Sequence, residues 1–175
     1  VFETTPTIHS SGWGLFSSGT ASTCIRCNTS PGTHSGSMYL YVPSAPDTNI
    51  RIWSAGNLAN TTTVCNIRLK TARTLSLANA STTDLVNGVV VIPLNSVVRT
   101  DWQYDNANTA SPILTTRLFL SPESSVHDEE LSTPFAGTVN VFDRINFGVV
   151  GSAAVANRAI QLGEPILGVE GLSWF

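Results

Sequence analysis

The sequence predicts an all-β fold, an antiparallel two-sheet sandwich, on three observations. Lys70 is the only lysine in 175 residues, while threonine, serine and asparagine make up nearly a third of the chain. Long helices expose Lys, Glu and Arg, whose side chains lose little rotamer freedom there; Thr/Ser/Asn surfaces over short Val/Ile/Leu/Tyr runs suit pleated sheets and polar loops instead. The apolar runs are short, alternate with period two and recur between turn residues, the pattern of strands half-buried in a sandwich.

Taken in order, residues 1–36 are rich in Gly, Ser and Thr around Trp13-Gly14-Leu15-Phe16 and read as an irregular N-terminal arm with at most one short strand. Alternation begins at Ser37, with Met38, Leu40 and Val42 on one face and Tyr39 and Tyr41 on the other. Pro43 to Asp47 makes a turn. Asn49–Ser54 sets Ile50 and Ile52 against Arg51 and Trp53, and Thr63–Leu69 sets Cys65, Ile67 and Leu69 against Asn66 and Arg68. Val89–Ile92, between Asn87-Gly88 and Pro93, predicts a strand buried on both faces. Val97–Tyr104, Thr115–Ser121, Val139–Phe142 and Ile145–Val150 follow, with a long loop at Pro122–Gly137.

Eight or nine strands of this kind predict a sandwich of jelly-roll type, with Val89, Val91, Ile67, Leu69, Leu118 and Leu120 in its core. The expected division is a single domain over 1–175, with an N-terminal arm at 1–36, the sandwich at 37–151 and a C-terminal arm at 152–175. Ala153–Leu162 is the one stretch whose composition could turn helical. Gly163–Phe175 is apolar without a strand or helix period. It predicts an arm that docks on another subunit, dispensable for folding but needed for assembly.

Bulk numbers narrow the function classes. A hydrophobic share of 42% with 12% charged residues excludes a disordered chain. Net charge is −3, and the densest basic group, Arg68, Lys70 and Arg73, is thin; it predicts weak, local contact with RNA at most. No apolar run reaches membrane-spanning length, so no membrane partner is expected. Three cysteines with no ladder of pairs suit a reducing compartment. The start at Val1 without methionine is the expected mark of a fragment or a cleaved precursor. Three sequons, at Asn28, Asn60 and Asn79, are what thirteen asparagines among so many hydroxyl residues give by chance.

Chemical motifs are sparse. Cys24-x-x-Cys27 is half of a zinc or redox site, but the extra ligands on offer are Cys65, His9 and His34, and no second pair follows; a structural zinc needs four ligands. Neither zinc nor a structural disulfide is expected there. His127-Asp128-Glu129-Glu130 offers clustered carboxylates, yet in a long polar loop they read as solvated rather than as acid/base or calcium ligands. His9-Ser10 lacks a nucleophile elbow. No catalytic residue, metal or cofactor is assigned, and the expectation is a protein that is not an enzyme.

Several stretches resemble the jelly-roll coat proteins of picorna-like plant viruses, the group of comoviruses, nepoviruses and cheraviruses. Val86-Asn87-Gly88-Val89-Val90-Val91-Ile92-Pro93-Leu94-Asn95 is similar to a central strand and its turn. The run from Thr138 to Gly151, Thr138-Val139-Asn140-Val141-Phe142-Asp143-Arg144-Ile145-Asn146-Phe147-Gly148-Val149-Val150-Gly151, is similar to the closing strand region. The resemblance implies a capsid protein, similar in length to the smallest of three cheravirus-type coat proteins and cut from a polyprotein. It also implies assembly with other capsid subunits into an icosahedral shell around viral RNA, in the virion and in the host cytoplasm during assembly. Interface candidates are then Trp13, Phe16, Leu172, Trp174 and Phe175, with Arg68, Lys70 and Arg73 facing RNA weakly. The alternative is a sandwich-type carbohydrate-binding module or viral spike domain for receptor attachment, using Trp53, Tyr39 or Trp102 as a stacking platform.

Overall fold

In a computed structural model the described residues are 2–3, 14–16, 23–28, 33–56, 63–81, 83–105, 111–135, 144–149 and 161–169. Every regular element among them is a strand: β1 (Phe2–Glu3), β2 (Gly14–Phe16), β3 (Thr23–Asn28), β4 (His34–Tyr41), β5 (Ile50–Gly56), β6 (Thr63–Leu69), β7 (Leu75–Asn79), β8 (Asp84–Asn87), β9 (Val97–Asp105), β10 (Ile113–Phe119), β11 (Glu129–Pro134), β12 (Arg144–Val149) and β13 (Gln161–Val169). They form a seven-stranded sheet, β1-β2-β13-β4-β9-β10-β11, and a six-stranded sheet, β3-β12-β5-β6-β7-β8. All pairings are antiparallel. The fold is the predicted jelly-roll type of two-sheet sandwich.

The core lies between the inner faces. Met38, Leu40, Val98, Leu114 and Leu118 from one sheet meet Ile50, Ile67, Leu69, Leu75, Leu77 and Ile145 from the other. Three aromatic rings bridge the sheets: Trp53 and Trp102 lie 5.0 Å apart at their centroids, and Trp102 and Phe147 5.8 Å. An aromatic side chain buries about 150–250 Å², so each contributes about 4–6 kcal/mol gross at about 25 cal/mol/Å².

That placement corrects the expected aromatic platform. Trp53 and Trp102 are fully buried and Tyr39 is 8% exposed. For Trp53 the cause is a β-bulge. The β5–β6 register shifts between Arg51 and Trp53, so Ile52 is the extra residue and the alternation slips by one. Ile50, Ile52 and Trp53 all reach the core, while Arg51 stays outside.

Val89 and Val91 are likewise not core: they are 82% and 47% exposed, and residues 88–93 form no strand. Their backbone donors are met from other directions. The Val89 and Val90 N–H groups donate to Glu129 Oε1 at 2.5 and 3.1 Å, Gly88 N–H to Leu75 O at 2.8 Å and Ile92 N–H to Arg73 O at 2.8 Å. Gly88 packs against the Glu129 carboxylate and the Leu75 carbonyl with no room for a Cβ. Only Ile92, with Val90 partly, turns inward. Of the other expected core residues, Ile67, Leu69 and Leu118 are buried and Leu120 is partly buried.

The sheets also take in more of the chain than the alternation predicts. Strands β1, β2 and β3 lie within 1–36, β7 and β8 lie between assigned strands, and β11 lies inside the expected loop 122–137. Residues 161–169, expected within an arm, form β13 between β2 and β4. Their period is hidden by a register shift between Gly163 and Ile166, which absorbs Glu164 and Pro165, a residue with no N–H to give. Residues 139–142 and 153–160 lie outside the described residues.

Candidate functional site on the outer face of the six-stranded sheet

Motifs prominent in the sequence turn out to be structural fastenings. Arg68 Nη1 lies 2.9 Å from Asp84 Oδ1, and Lys70 Nζ lies 2.6 Å from Asp84 Oδ2 and 2.8 Å from Asn87 Oδ1. Arg73 Nη1 donates to Ile92 O at 3.1 Å. The expected RNA-facing trio is thus spread over an ion-pair cluster and a loop tie. In the acidic run, Asp128 Oδ2 accepts the Leu120 N–H at 2.7 Å, Glu129 holds the 88–90 segment, and Glu130 pairs with Arg117 at 2.6 Å. His127 stands edge-on to Phe119 at 6.3 Å.

No group of three or more His, Cys, Asp or Glu among the described residues could hold a metal. Cys24 and Cys27 occupy register positions opposite Gly148 and Ile145 on β3, and their side chains are outside the description. Cys65 is a free, buried cysteine whose thiol pKa is pushed up by burial. Trp13, Leu172, Trp174 and Phe175 lie outside the described residues, as does the side chain of Phe16.

The informative surface is one the motifs do not mark. Residues of the six-stranded sheet that point away from the core form three cross-strand rows. The first joins Arg144, Gly56 and Thr63; the second Asn146, Ser54, Asn66, Ala78 and Asp84; the third Arg51, Arg68, Ser76 and Asn87. Rows two residues apart are separated by about 6.6 Å. A solvated sheet face carries exposed charged and hydroxyl side chains. Here Ser54, Asn66, Ser76, Asn146 and Arg144 are all buried.

Burial makes the hydrogen bonds on this face accountable one by one. Asn146 Nδ2 donates to Ser54 Oγ at 3.1 Å, and Ser76 Oγ donates to Asp84 Oδ1 at 2.9 Å. Asn66 Nδ2 donates to Asn79 O at 2.9 Å. A backbone carbonyl only accepts, so the Asn66 amide is fixed with Oδ1 turned the other way, and that buried oxygen has no partner. Arg144 Nε is in the same condition.

Two charges define the other end. Arg51 and Arg68 are direct cross-strand partners, a like-charge juxtaposition that destabilises a sheet. Burial lowers the Arg51 pKa, and the neighbouring Arg68 charge lowers it further. Asp84 resolves only the Arg68 side. Burial by itself would raise its carboxyl, but hydrogen bonds from Lys70 and Ser76 and the charges of Arg68 and Lys70 hold it below the ordinary carboxylate range. At the neighbouring edge Gly148, with φ 113°, takes a conformation open to glycine. β12 stays paired with β3 there after its ladder with β5 ends at Phe147.

The partly exposed end of this face, Arg51, Arg68, Lys70, Asp84 and Asn87, can offer amide and charged groups to a polar ligand. The face's signal in the sequence is the polar set Arg51, Ser54, Asn66, Arg68, Arg144 and Asn146 opposite apolar core positions. Alternation marks all of them as outward-facing except Ser54, which the bulge at Ile52 turns outward, but says nothing of their burial.

No family model matches the chain, and no curated protein matches it in sequence. Solved structures do match it in fold. Lectin II from Ulex europaeus superposes with a TM-score of 0.60 at 10% identity, over 95% of this chain and 91% of the lectin. The alginate lyase from Aplysia kurodai gives 0.63 at 9% identity, covering 95% and 85%. The endo-β-1,4-glucuronan lyase from Trichoderma reesei gives 0.62 at 8% identity, covering 96% and 85%. Likeness at these identities establishes the shared fold. It also corrects the expectation that this chain is not an enzyme. That expectation rested on missing motifs, and enzymes of the lyase type are built on this same sandwich.

Proposed function

We propose that this protein is a glycan-binding sandwich whose binding surface is the outer face of the six-stranded sheet. The observation that carries the reading is the polar, partly exposed end of this face, where Arg51, Arg68, Lys70, Asp84 and Asn87 lie together beside the buried row Asn146–Ser54–Asn66. The guanidinium, ammonium and amide groups there can donate to sugar oxygens, and the Asp84 carboxylate can accept from sugar hydroxyls. Rows about 6.6 Å apart offer repeated polar contacts to an extended chain. A lectin and two polysaccharide lyases with this fold give the proposal its frame.

This reading takes the sugar-binding alternative without its aromatic platform, since Trp53 and Trp102 are interior. It is preferred to the coat-protein reading, which leaned on an apolar C-terminal arm reaching to other subunits. The backbone of 161–169 is instead committed to a strand within its own sheet.

The test is a screen of the protein against immobilised neutral and acidic glycans, with soluble products monitored for chain cleavage. The wild type should bind a subset of them. Arg51→Ala and Asn87→Ala should weaken that binding about 10-fold or more, as loss of about 1.4 kcal/mol implies. Ser132→Ala, on the opposite sheet, should leave it intact. Absence of binding to every glycan, or equal binding by all variants, contradicts the proposal.

A further inference from the structure

Positions 85, 87, 89 and 91 all face solvent, and all but Asn87 are aliphatic. Leu85 is 43% exposed, Val89 82% and Val91 47%. The residues between them, Val86, Val90 and Ile92, pack on the core. Solvent-facing positions at the edge of a sheet are ordinarily polar or charged. Single exposed aliphatics are common on any surface, but a run of them at period two around one amide marks a place of contact.

These side chains stand on a backbone held at successive residues. Gly88 N–H donates to Leu75 O at 2.8 Å, and the Val89 and Val90 N–H groups donate to Glu129 Oε1. Leu85 is the extra residue of β8 where its register with β7 shifts between Leu77 and Ala78. A ligand meeting this edge therefore has little ordering cost to overcome. The polar capacity left open there is mainly that of a donor. An ammonium only donates, so the 2.8 Å contact from Lys70 Nζ fixes the Asn87 amide with Oδ1 toward Lys70. Both N–H groups of Asn87 Nδ2 then have no acceptor among the described residues. Lys70 has spent two of its three N–H groups on Asp84 and Asn87. Asp84 already accepts from Arg68, Lys70 and Ser76, which leaves it about one acceptor site. Open donors thus lie between two exposed aliphatic side chains, Leu85 and Val89, each two residues or about 6.6 Å along from Asn87.

We propose that the glycan bound at this end is an acetylated one, its acetyl carbonyl accepting from Asn87 Nδ2 and Lys70 Nζ while the acetyl methyl lies against Val89. Leu85, on the other side of Asn87, meets the C–H edge of the sugar ring. This rests on the glycan-binding reading and specifies its ligand. A bare hydroxyl brings no apolar group to the aliphatic flanks. An acetyl group joins an acceptor to a methyl, the complement of N–H donors set beside exposed side chains. Amide-linked and ester-linked acetyl groups share that chemistry.

The experiment measures two matched pairs of probes on the full chain by titration calorimetry: chitohexaose against cellohexaose, and acetylated xylan against the same xylan after alkaline deacetylation. In at least one pair the acetylated member should bind about 10-fold or more tightly than its partner. A preference in the first pair assigns an amide-linked acetyl group, and one in the second an ester-linked group. The preference should change little as salt is raised, because the acetyl group carries no charge. Val89→Ser should reduce affinity for the acetylated member about 10-fold and leave that for its partner unaltered. Its Tm should equal that of the wild type, since the side chain is 82% exposed; a merely structural role would move the Tm and not the preference. Asn87→Asp should lose the preference too, having exchanged two donors for acceptors. Ile113→Ser, at an exposed aliphatic of the opposite sheet, should bind as the wild type does. Equal affinity within both pairs, with Val89→Ser unaffected, would overturn the acetyl assignment and leave glycan binding standing. Binding of none of the four probes, while other glycans are retained in the screen, would do the same. Retention of no glycan at all would overturn the reading beneath it as well. Self-association of the wild type that Val89→Ser abolishes, without any acetyl preference, would give the aliphatic edge to a second copy and overturn the inference.

Discussion

Asp84 shows how much a single side chain can organise. It receives Arg68, Lys70 and Ser76 within 2.9 Å, and its carboxyl pKa lies below the usual range. Because the folded pKa is depressed, the stabilisation is complete above the unfolded value of about 3.9 and is lost as pH falls through the folded one. Asp84→Asn should therefore be less stable than the wild type by about 1–3 kcal/mol at neutral pH. The difference should shrink below about pH 4, measured by urea unfolding across pH. A difference that persists undiminished in acid would mean that packing, not charge, is what Asp84 supplies. Trp53 shows the limit of reading at this scale. Alternation from Ile50 assigns it to the outer face, and one bulged residue, Ile52, reverses the assignment. Sequence carries no mark of that bulge, because Ile and Trp are both at home in a strand.

Among the elements, the segments that alternate cleanly were legible: β4, β5, β6, β9, β10 and β12 fall where the apolar period places them. The misses have separate physical causes. Val89–Ile92 has the composition of a buried strand, but its donors are taken by Glu129, forty residues away in sequence, a partner no local pattern reveals. β11 carries Glu129, Glu130 and Pro134, residues suited to a sheet edge and therefore easily read as loop. Glu129→Gln should leave the sandwich folded while amide exchange at Val89 and Val90 speeds up, since the acceptor of both N–H groups is weakened. Unchanged protection there would show that neighbouring packing holds the segment. β13 reverses an expectation outright. With 161–169 paired along β4, ending the chain before Gly163 exposes the β4 edge from His34 to Tyr39. The shortened protein should aggregate or lose its cooperative transition, whereas a folded, soluble product would return this segment to the role of a detachable arm.

At the scale of the whole molecule, the sandwich presents two unlike faces, and the six-stranded one is basic, polar and incompletely satisfied. The sequence displayed its parts without their relation: Arg51, Arg68 and Arg144 are far apart along the chain, and cross-strand pairing alone brings them to one surface. The most direct measurement of the central claim is a map of amide chemical shifts in the presence of a bound glycan. The account predicts perturbations concentrated at Arg51, Arg68, Lys70, Asp84 and Asn87, with Thr115, Arg117 and Ser132 on the opposite sheet unmoved. Perturbations centred on the seven-stranded sheet, or confined to the exposed Val89–Val91 segment, would contradict it.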